Sequence, residues 1–348
     1  MEGSRLPLIG AIRWDAWHGD LGAAGKVVQE TLRPERYHFR LPWFALVLDD
    51  GSVRIRCDAD GVLEQEIRYA RRAGLDYWAF VTYPENNALH LPLKQFLECR
   101  DRQGLRFCNI IEWTRFGERG ENGEMLDRLA RYFGHPGYVR VLDDRPLVYL
   151  LAHEFEPIKQ SYGSIAGFAE VITGLRAEAR EQAAGDPYVV VMTFDPATCE
   201  STRTAIGADG LSCYALPGGT LEGAEFDESQ AKARRLWGEM AAHGPTIPLV
   251  SWGWDPRPRV DTPVPWYKPK PLHFATFTPE QCAQALEEAL HWVRENPQCC
   301  PANAVIAYAW NEHDEGGWLC PTRNPDGSPS CDRIDAVGAA VRRFRTPP

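Results

Sequence analysis

Five consecutive polar residues, Asn311, Glu312, His313, Asp314 and Glu315, follow an apolar run over 305–310 and precede two glycines, Gly316 and Gly317. The apolar run reads as a buried strand, so the polar residues leave its end together. The glycines let the chain turn sharply just after them. Glu312 and Glu315, delivered by a strand into such a loop, suit general acid and base work over a bound substrate. The same stretch reads equally as an acidic surface loop. As a calcium loop it lacks regularly spaced oxygen ligands.

Such residues need a scaffold that brings several strand ends together. Short apolar runs occur at 8–14, 77–82, 106–111, 146–151, 188–194, 210–214, 247–252 and 305–310. They are continuous rather than alternating, as expected of strands covered on both faces. Helices are predicted over 61–74, 91–100, 124–133, 165–184, 228–242 and 332–344. In the first of these Leu63, Ile67 and Ala70 repeat at helical spacing and Gly74 is a natural stop. A further helix starts at Thr278, with Pro279 at its first position and Gln281 completing a capping box. The run 188–194 is followed by a short connection and the run 247–252 by a long Pro-rich loop. Residues 20–60 read as an irregular excursion, with a hairpin within 40–50.

Eight strand–helix units predict an α/β fold: a single (β/α)8 TIM barrel over 1–348, with long βα loops at its C-terminal face. An open doubly wound sheet is the alternative. No Gly-rich fingerprint follows the first strand, which disfavours a dinucleotide site. No repeat of 20–50 residues is visible.

Barrel active sites lie at the C-terminal ends of the strands. That rule selects Trp14, Asp15, Trp17 and His18 after the first strand, and Tyr83, Glu85, Asn86 and Asn87 after the second. It selects Glu112 and Trp113 after the third, His153 and Glu154 after the fourth, Thr193 and Asp195 after the fifth, and Tyr214 after the sixth. Trp252, Trp254, Asp255 and Arg257 follow the seventh, and Asn311, Glu312 and Glu315 the eighth. Aromatic faces stack on the C–H faces of sugar rings, and carboxylates bind hydroxyls. Paired carboxylates are also the usual machinery of glycosidic bond cleavage. Each Trp fits core packing as well. His18, His153 or His313 with Asp or Glu would be the raw material of a metal site, but no HxH or HExxH spacing supports one, and no metal or cofactor is expected.

The 348 residues include 44% hydrophobic and 25% charged, ample for a large core. A net charge of -10 argues against a nucleic-acid partner. No apolar run approaches the ~20 residues of a membrane span. The N-terminal stretch has no signal-peptide pattern, since Arg13 and Asp15 interrupt it. A cytoplasmic location is expected, or a secreted or periplasmic one for a chain whose leader has been removed. None of the ten cysteines forms a CxxC pair, so a structural zinc site is not expected. Cys108 and Cys213 read as buried thiols, and Cys320 and Cys331 flank a loop that a disulfide would close. The oligomeric state is left open.

The segment AWNEHDEGG (309–317) resembles the N-E-x-x-E-G segment of glycoside hydrolase family 99, the endo-α-mannosidase family, and of the related WbsX-like proteins of polysaccharide gene clusters. FCNIIEWTRFG (107–117), HPGYVRVLDDRPLVYLL (135–151) and GWDPRPR (253–259) are similar to WbsX-like segments in the same order. The similarity runs from about Tyr77 to Trp318. The resemblance implies a retaining hydrolase acting through a 1,2-anhydro sugar. Glu312 would be the base on the sugar's own 2-hydroxyl. Glu315 would protonate the leaving oxygen and then activate water. Glu312 is expected to be held ionised by donors beside Asn311, and Glu315 to be partly desolvated near Trp318. The sequence departs from the family at His313, where an aromatic is usual, and at Asp314, a third carboxylate. Substrate specificity therefore does not transfer, and α-mannoside is a default.

The expected partner is a carbohydrate. Candidate contacts are Trp14, Asp15, Trp17, His18, Tyr83, Glu112, Trp113, Tyr214, Trp252, Trp254, Asp255, Asn311 and His313. Two alternatives stand beside the hydrolase. One is a glycosyltransferase-like or non-hydrolytic glycan-binding protein, although nothing here looks like a nucleotide-sugar site. The other is a metal-dependent hydrolase using His18, His153 and Asp or Glu.

Overall fold

A parallel sheet wraps almost fully around its own axis in the computed structural model, which describes residues 6–18 and 21–346. The first five residues, on which the leader reading partly rests, lie outside the described residues. The barrel strands are β1 (Leu8–Arg13), β2 (Tyr77–Val81), β3 (Arg106–Glu112), β4 (Arg145–Leu151), β5 (Tyr188–Thr193), β6 (Gly210–Cys213), β7 (Leu249–Ser251) and β8 (Ala304–Tyr308). They neighbour one another in the order β7-β8-β1-β2-β3-β4-β5-β6, every adjacent pair parallel. Between β6 and β7 the ladder thins to one bridge, Leu211 to Thr246, with Ile247 N–H donating to the Leu211 carbonyl at 2.9 Å. Ser212 Oγ donates to the Ile247 carbonyl at 2.9 Å and completes the seam. The architecture is the (β/α)8 barrel of the sequence reading.

The strands are mostly apolar because the inner and outer faces are both covered, as in β5, where every residue is buried. Inside the barrel, Tyr77 fills the space that a side chain at Gly10 would occupy. Its hydroxyl lies 2.9 Å from that of Tyr149 and donates to the Val305 carbonyl at 3.1 Å. A buried tyrosine needs such partners, and the two hydroxyls tie β2, β4 and β8 together.

The outer layer is α1 (Ala23–Thr31), α2 (Val62–Arg72), α3 (Leu91–Glu98), α4 (Gly123–Phe133), α5 (Phe155–Tyr162), α6 (Ala169–Glu181), α7 (Pro196–Ile206), α8 (Phe226–His243), α9 (Arg257–Asp261), α10 (Pro279–Glu295) and α11 (Asp332–Arg345). Among the described residues no helix is long and apolar enough to cross a membrane.

The excursion at 20–60 is more ordered than expected. It holds α1, a 3-10 turn Glu35–Arg40, and a small hairpin pairing Leu46–Val47 with Val53–Arg54. The helix escapes notice because Gly22 makes no side-chain cap and Gly25 interrupts its apolar stripe. The connection after β5 is the helix α7; the helix predicted over 165–184 is a 3-10 turn, Ala166–Phe168, leading into α6, and α5 before it is not among the predicted helices. Cys320 and Cys331 are free thiols rather than a disulfide; the first is buried against Glu66 and the second precedes α11.

Candidate active site

Beyond β8 the chain folds back on itself. Asn311–Glu312 pairs antiparallel with Gly317–Trp318, and a 3-10 turn, His313–Glu315, lies between them. Gly316 closes the turn at φ +84°, where a Cβ would meet the Asp255 amide nitrogen at 2.5 Å. That amide donates to the Glu315 carbonyl at 2.6 Å, so the β8 loop is docked on the β7 loop.

The loop is also anchored from below. Arg13 bonds Asp15 at 2.9 Å and Glu66 of α2 at 2.9 Å. Asn311 Nδ2 donates to Asp15 at 3.0 Å, and Asn311 Oδ1 accepts from the Trp14 amide at 3.2 Å. The Trp17 indole donates to the Asn311 carbonyl at 2.7 Å, and the Trp310 indole donates to Glu66 at 2.8 Å. Every member of this network is buried, so the strand end has one arrangement rather than several.

Above it, three buried carboxylates share one guanidinium. Arg259 of α9 reaches Asp314 at 2.6 and 2.8 Å, Glu312 at 3.2 Å and Glu315 at 2.7 Å. Thr31 donates to Asp314 at 3.2 Å. Burial opposes the charge on Arg259, but Asp314, Glu315 and Glu312 more than offset it and hold its pKa well above the ordinary value. Burial pushes the Glu312 carboxyl up to about 8, against the pull of Arg259, because its donors are few and long: Arg259 at 3.2 Å and Tyr214 at 3.5 Å. Glu315 is raised by burial too, but Arg259, Tyr267 and Tyr308 all donate to it. The expectation for Glu312 is thus corrected: burial outweighs its donors and favours its protonated form. Glu315 is desolvated as well, within a denser set of donors.

Glu312 and Glu315 open onto a cavity of about 600 Å³ at the C-terminal face. Its walls are Trp14, Tyr83, Tyr214, Trp254, Trp266 and Tyr267, with Val81, Leu89, Leu151 and Phe194. The Trp14 indole donates to Tyr83 at 2.7 Å, and its ring packs edge-on against Trp266. Glu112, Arg115, His153 and Glu154 form a second polar group in the same cavity. Tyr83 lies between the two groups, since Glu112 and Glu312 both act on its hydroxyl. A pocket of this size with aromatic walls and a few fixed polar groups fits a small ligand or one end of a chain. Glu112, His153 and Glu154 are also the described residues whose side chains could hold a metal ion together.

Of the residues singled out from sequence, Trp14, Tyr83, Glu112, His153, Glu154, Tyr214, Trp254, Glu312 and Glu315 line this cavity. The others do not. Asp15 and Asn311 are buried in the network beneath it. Trp17 is buried with its ring edge on His313, and His313 stacks on Trp318. Burial lowers the His313 pKa to about 3, so the imidazole is neutral core rather than a ligand contact. His18 is fully buried away from the cavity, and burial lowers its pKa as well. Trp113 and Trp252 are buried with their indoles on the His153 and Cys282 carbonyls. Asp255 is buried and paired with Arg40 and Arg257.

Arg259, Trp266, Tyr267 and Arg115 escaped the strand-end rule. Arg259 closes the GWDPRPR segment, and the Trp-Tyr pair sits deep in the Pro-rich loop. An aromatic pair between prolines was the available signal, but loop residues several positions past a strand have no fixed relation to its end.

No protein-family model matches the sequence, and no curated protein does. Among solved structures, the GH99 endo-alpha-mannosidase from Bacteroides thetaiotaomicron in complex with bis-tris-propane is similar at TM-score 0.59 and 16% identity, covering 97% of each chain. A second structure of the endo-alpha-mannosidase from that organism gives TM-score 0.57 and 15% identity, again over 97% of both. At this identity the likeness shows the fold.

Proposed function

We propose that this barrel is a glycoside hydrolase acting on an oligo- or polysaccharide, with Glu312 and Glu315 as its working pair. The observation that carries this reading is the placement of two carboxyls, three residues apart, in the wall of one aromatic-lined cavity at the C-terminal face. The fold shared with an endo-α-mannosidase and the N-E-x-x-E-G segment support it. In the proposed reaction Glu312 takes the proton of the sugar 2-hydroxyl, whose oxygen displaces the leaving group to form a 1,2-anhydro sugar. Glu315 gives its proton to the leaving oxygen and then activates the water that opens the ring. Arg259 touches both carboxyls and would steady the charge as it passes between them. Trp14, Tyr83, Tyr214, Trp254 and Trp266 would face the sugar rings.

Purified protein screened against α-mannosides and a wider panel of glycans is expected to cleave one class. Glu312→Gln and Glu315→Gln should each lower the rate on the order of 100-fold or more. Binding of glycans without cleavage by the wild type would refute hydrolysis and favour a binding or transfer role. The pH profile tests the roles. With Glu312 as base, kcat/KM rises with pH through an apparent pKa near 8, because the carboxyl must first lose its proton. A fall through the same region would make Glu312 the acid and reverse the assignment.

A further inference from the structure

The ends of β3 and β4 carry a group of donors that the proposed reaction does not use. Glu112 is the last residue of β3, and His153 and Glu154 follow β4. One ligand atom from each lies within 4.8 Å of the others. His153 Nε2 stands 3.4 Å from Glu112 Oε1. That is long for a charge-assisted N–H···O bond, which runs at about 2.7–2.9 Å. It is the separation of two donors on a tetrahedral zinc, which at bond lengths of about 2.0–2.1 Å lie roughly 3.4 Å apart.

The surroundings hold these donors in place. Thr114 Oγ1 donates to Glu112 Oε1 at 2.8 Å and Arg115 Nη2 to Glu112 Oε2 at 2.7 Å. Oε1 keeps a second lone pair on the side that faces His153. Hydrogen bonds of this kind fix the orientation of ligating carboxylates. Arg115 is itself stacked on Tyr83, 3.9 Å from the ring centre. The Trp113 indole donates to the His153 carbonyl, and Phe155 packs edge-on against Trp113 at 4.8 Å. Glu154 takes a left-handed backbone conformation, φ +54°, and stands exposed beside His153. Arg115 balances one carboxylate, which leaves one negative charge for a cation to meet.

We propose that Glu112, His153 and Glu154 form a binding site for a divalent cation of the zinc class, with a coordination position open to the cavity. One imidazole and two carboxylates suit Zn²⁺, with Mn²⁺ a weaker competitor. The open position would take an oxygen atom of the molecule in the cavity, such as a sugar hydroxyl, as a further ligand. The site stands on these three side chains and does not depend on hydrolysis.

Metal-stripped protein is titrated with Zn²⁺ by calorimetry and with Co²⁺ by visible spectroscopy, beside His153→Ala, Glu112→Gln and Glu154→Gln. The expected result is one saturable equivalent, with Co²⁺ d–d bands and no thiolate charge-transfer band. His153→Ala should weaken binding by about 100-fold or more, and Glu154→Gln by about 10-fold. Glu154 is exposed, so its variant keeps the test valid should a partly buried variant fail to fold. Three results overturn the proposal: no saturable binding, affinity unchanged in Glu154→Gln and in a folded His153→Ala, or a thiolate band that places the ion on the free cysteines. Since no glycan is involved, failure of the hydrolase reading leaves this outcome intact.

Discussion

Glu312 is a carboxyl that the fold has removed from water without giving it close donors. Its pKa is about 8, against 4.5 for an ordinary glutamate. Between those two values the folded protein holds a proton that the unfolded chain has released. Stability therefore falls as pH rises through the window from about 4.5 to about 8, and the loss is complete above it. Glutamine has the same shape and no charge to desolvate. Glu312→Gln should gain stability relative to the wild type across that window, by at most about 1.4 kcal/mol per pH unit. Urea unfolding at pH 5, 7 and 9 measures the difference. A gap independent of pH would mean that Glu312 is solvated. Asp314, fully buried beside it, holds Arg259 with both oxygens at 2.6 and 2.8 Å, where Glu312 has a single contact at 3.2 Å.

At the scale of elements, the β8 loop is held through α2. Glu66 is buried on the same helix face as Leu63 and Ile67, and it receives both Arg13 and the Trp310 indole. Glu66→Ala leaves Arg13 with Asp15 alone and orphans the indole, and breaking a buried pair in this way costs about 3–5 kcal/mol. Glu288, whose pair with Arg234 lies on the surface, should cost less than about 1 kcal/mol on truncation. Thermal unfolding of the two variants side by side checks the contrast, and equal losses would remove Glu66 from any anchoring role. The elements most visible in the sequence were those with their own local signals: the apolar strand runs, and α10 with both bonds of its capping box at Thr278. The helix α1 has no such cap. Among site residues the same rule separates success from failure. A strand end places Glu112 and Glu312 over the barrel. Tryptophan serves core and rim alike, so Trp14 and Trp254 at the cavity could not be told from Trp17, Trp113 and Trp252 beneath it. Arg259 and Tyr267 depend on the path of a Pro-rich loop, which no periodicity describes.

At the scale of the whole molecule, a barrel is as stable as its weakest seam, because closure is what removes the free edges. Here the seam lies between β6 and β7, where one bridge and the Ser212 hydroxyl stand in for a ladder. By comparison β4 and β5 are in register over five residue pairs, from Leu147–Tyr188 to Leu151–Met192. Local opening follows the path with the fewest protected backbone bonds. Hydrogen exchange should therefore be faster at Leu211 and Ile247 than along β4 and β5, and mass spectrometry of the corresponding peptides resolves the two regions. Uniform protection would show that side-chain packing closes the seam as firmly as hydrogen bonds close the rest. The loops that follow β6 and β7 carry Tyr214, Trp254 and Arg259 into the cavity, so a ligand that bridges them ties the two sides of the seam together. Such a ligand should slow exchange at Leu211 and Ile247 more than in the β4–β5 ladder. That difference would locate binding at this face of the barrel before any product is identified.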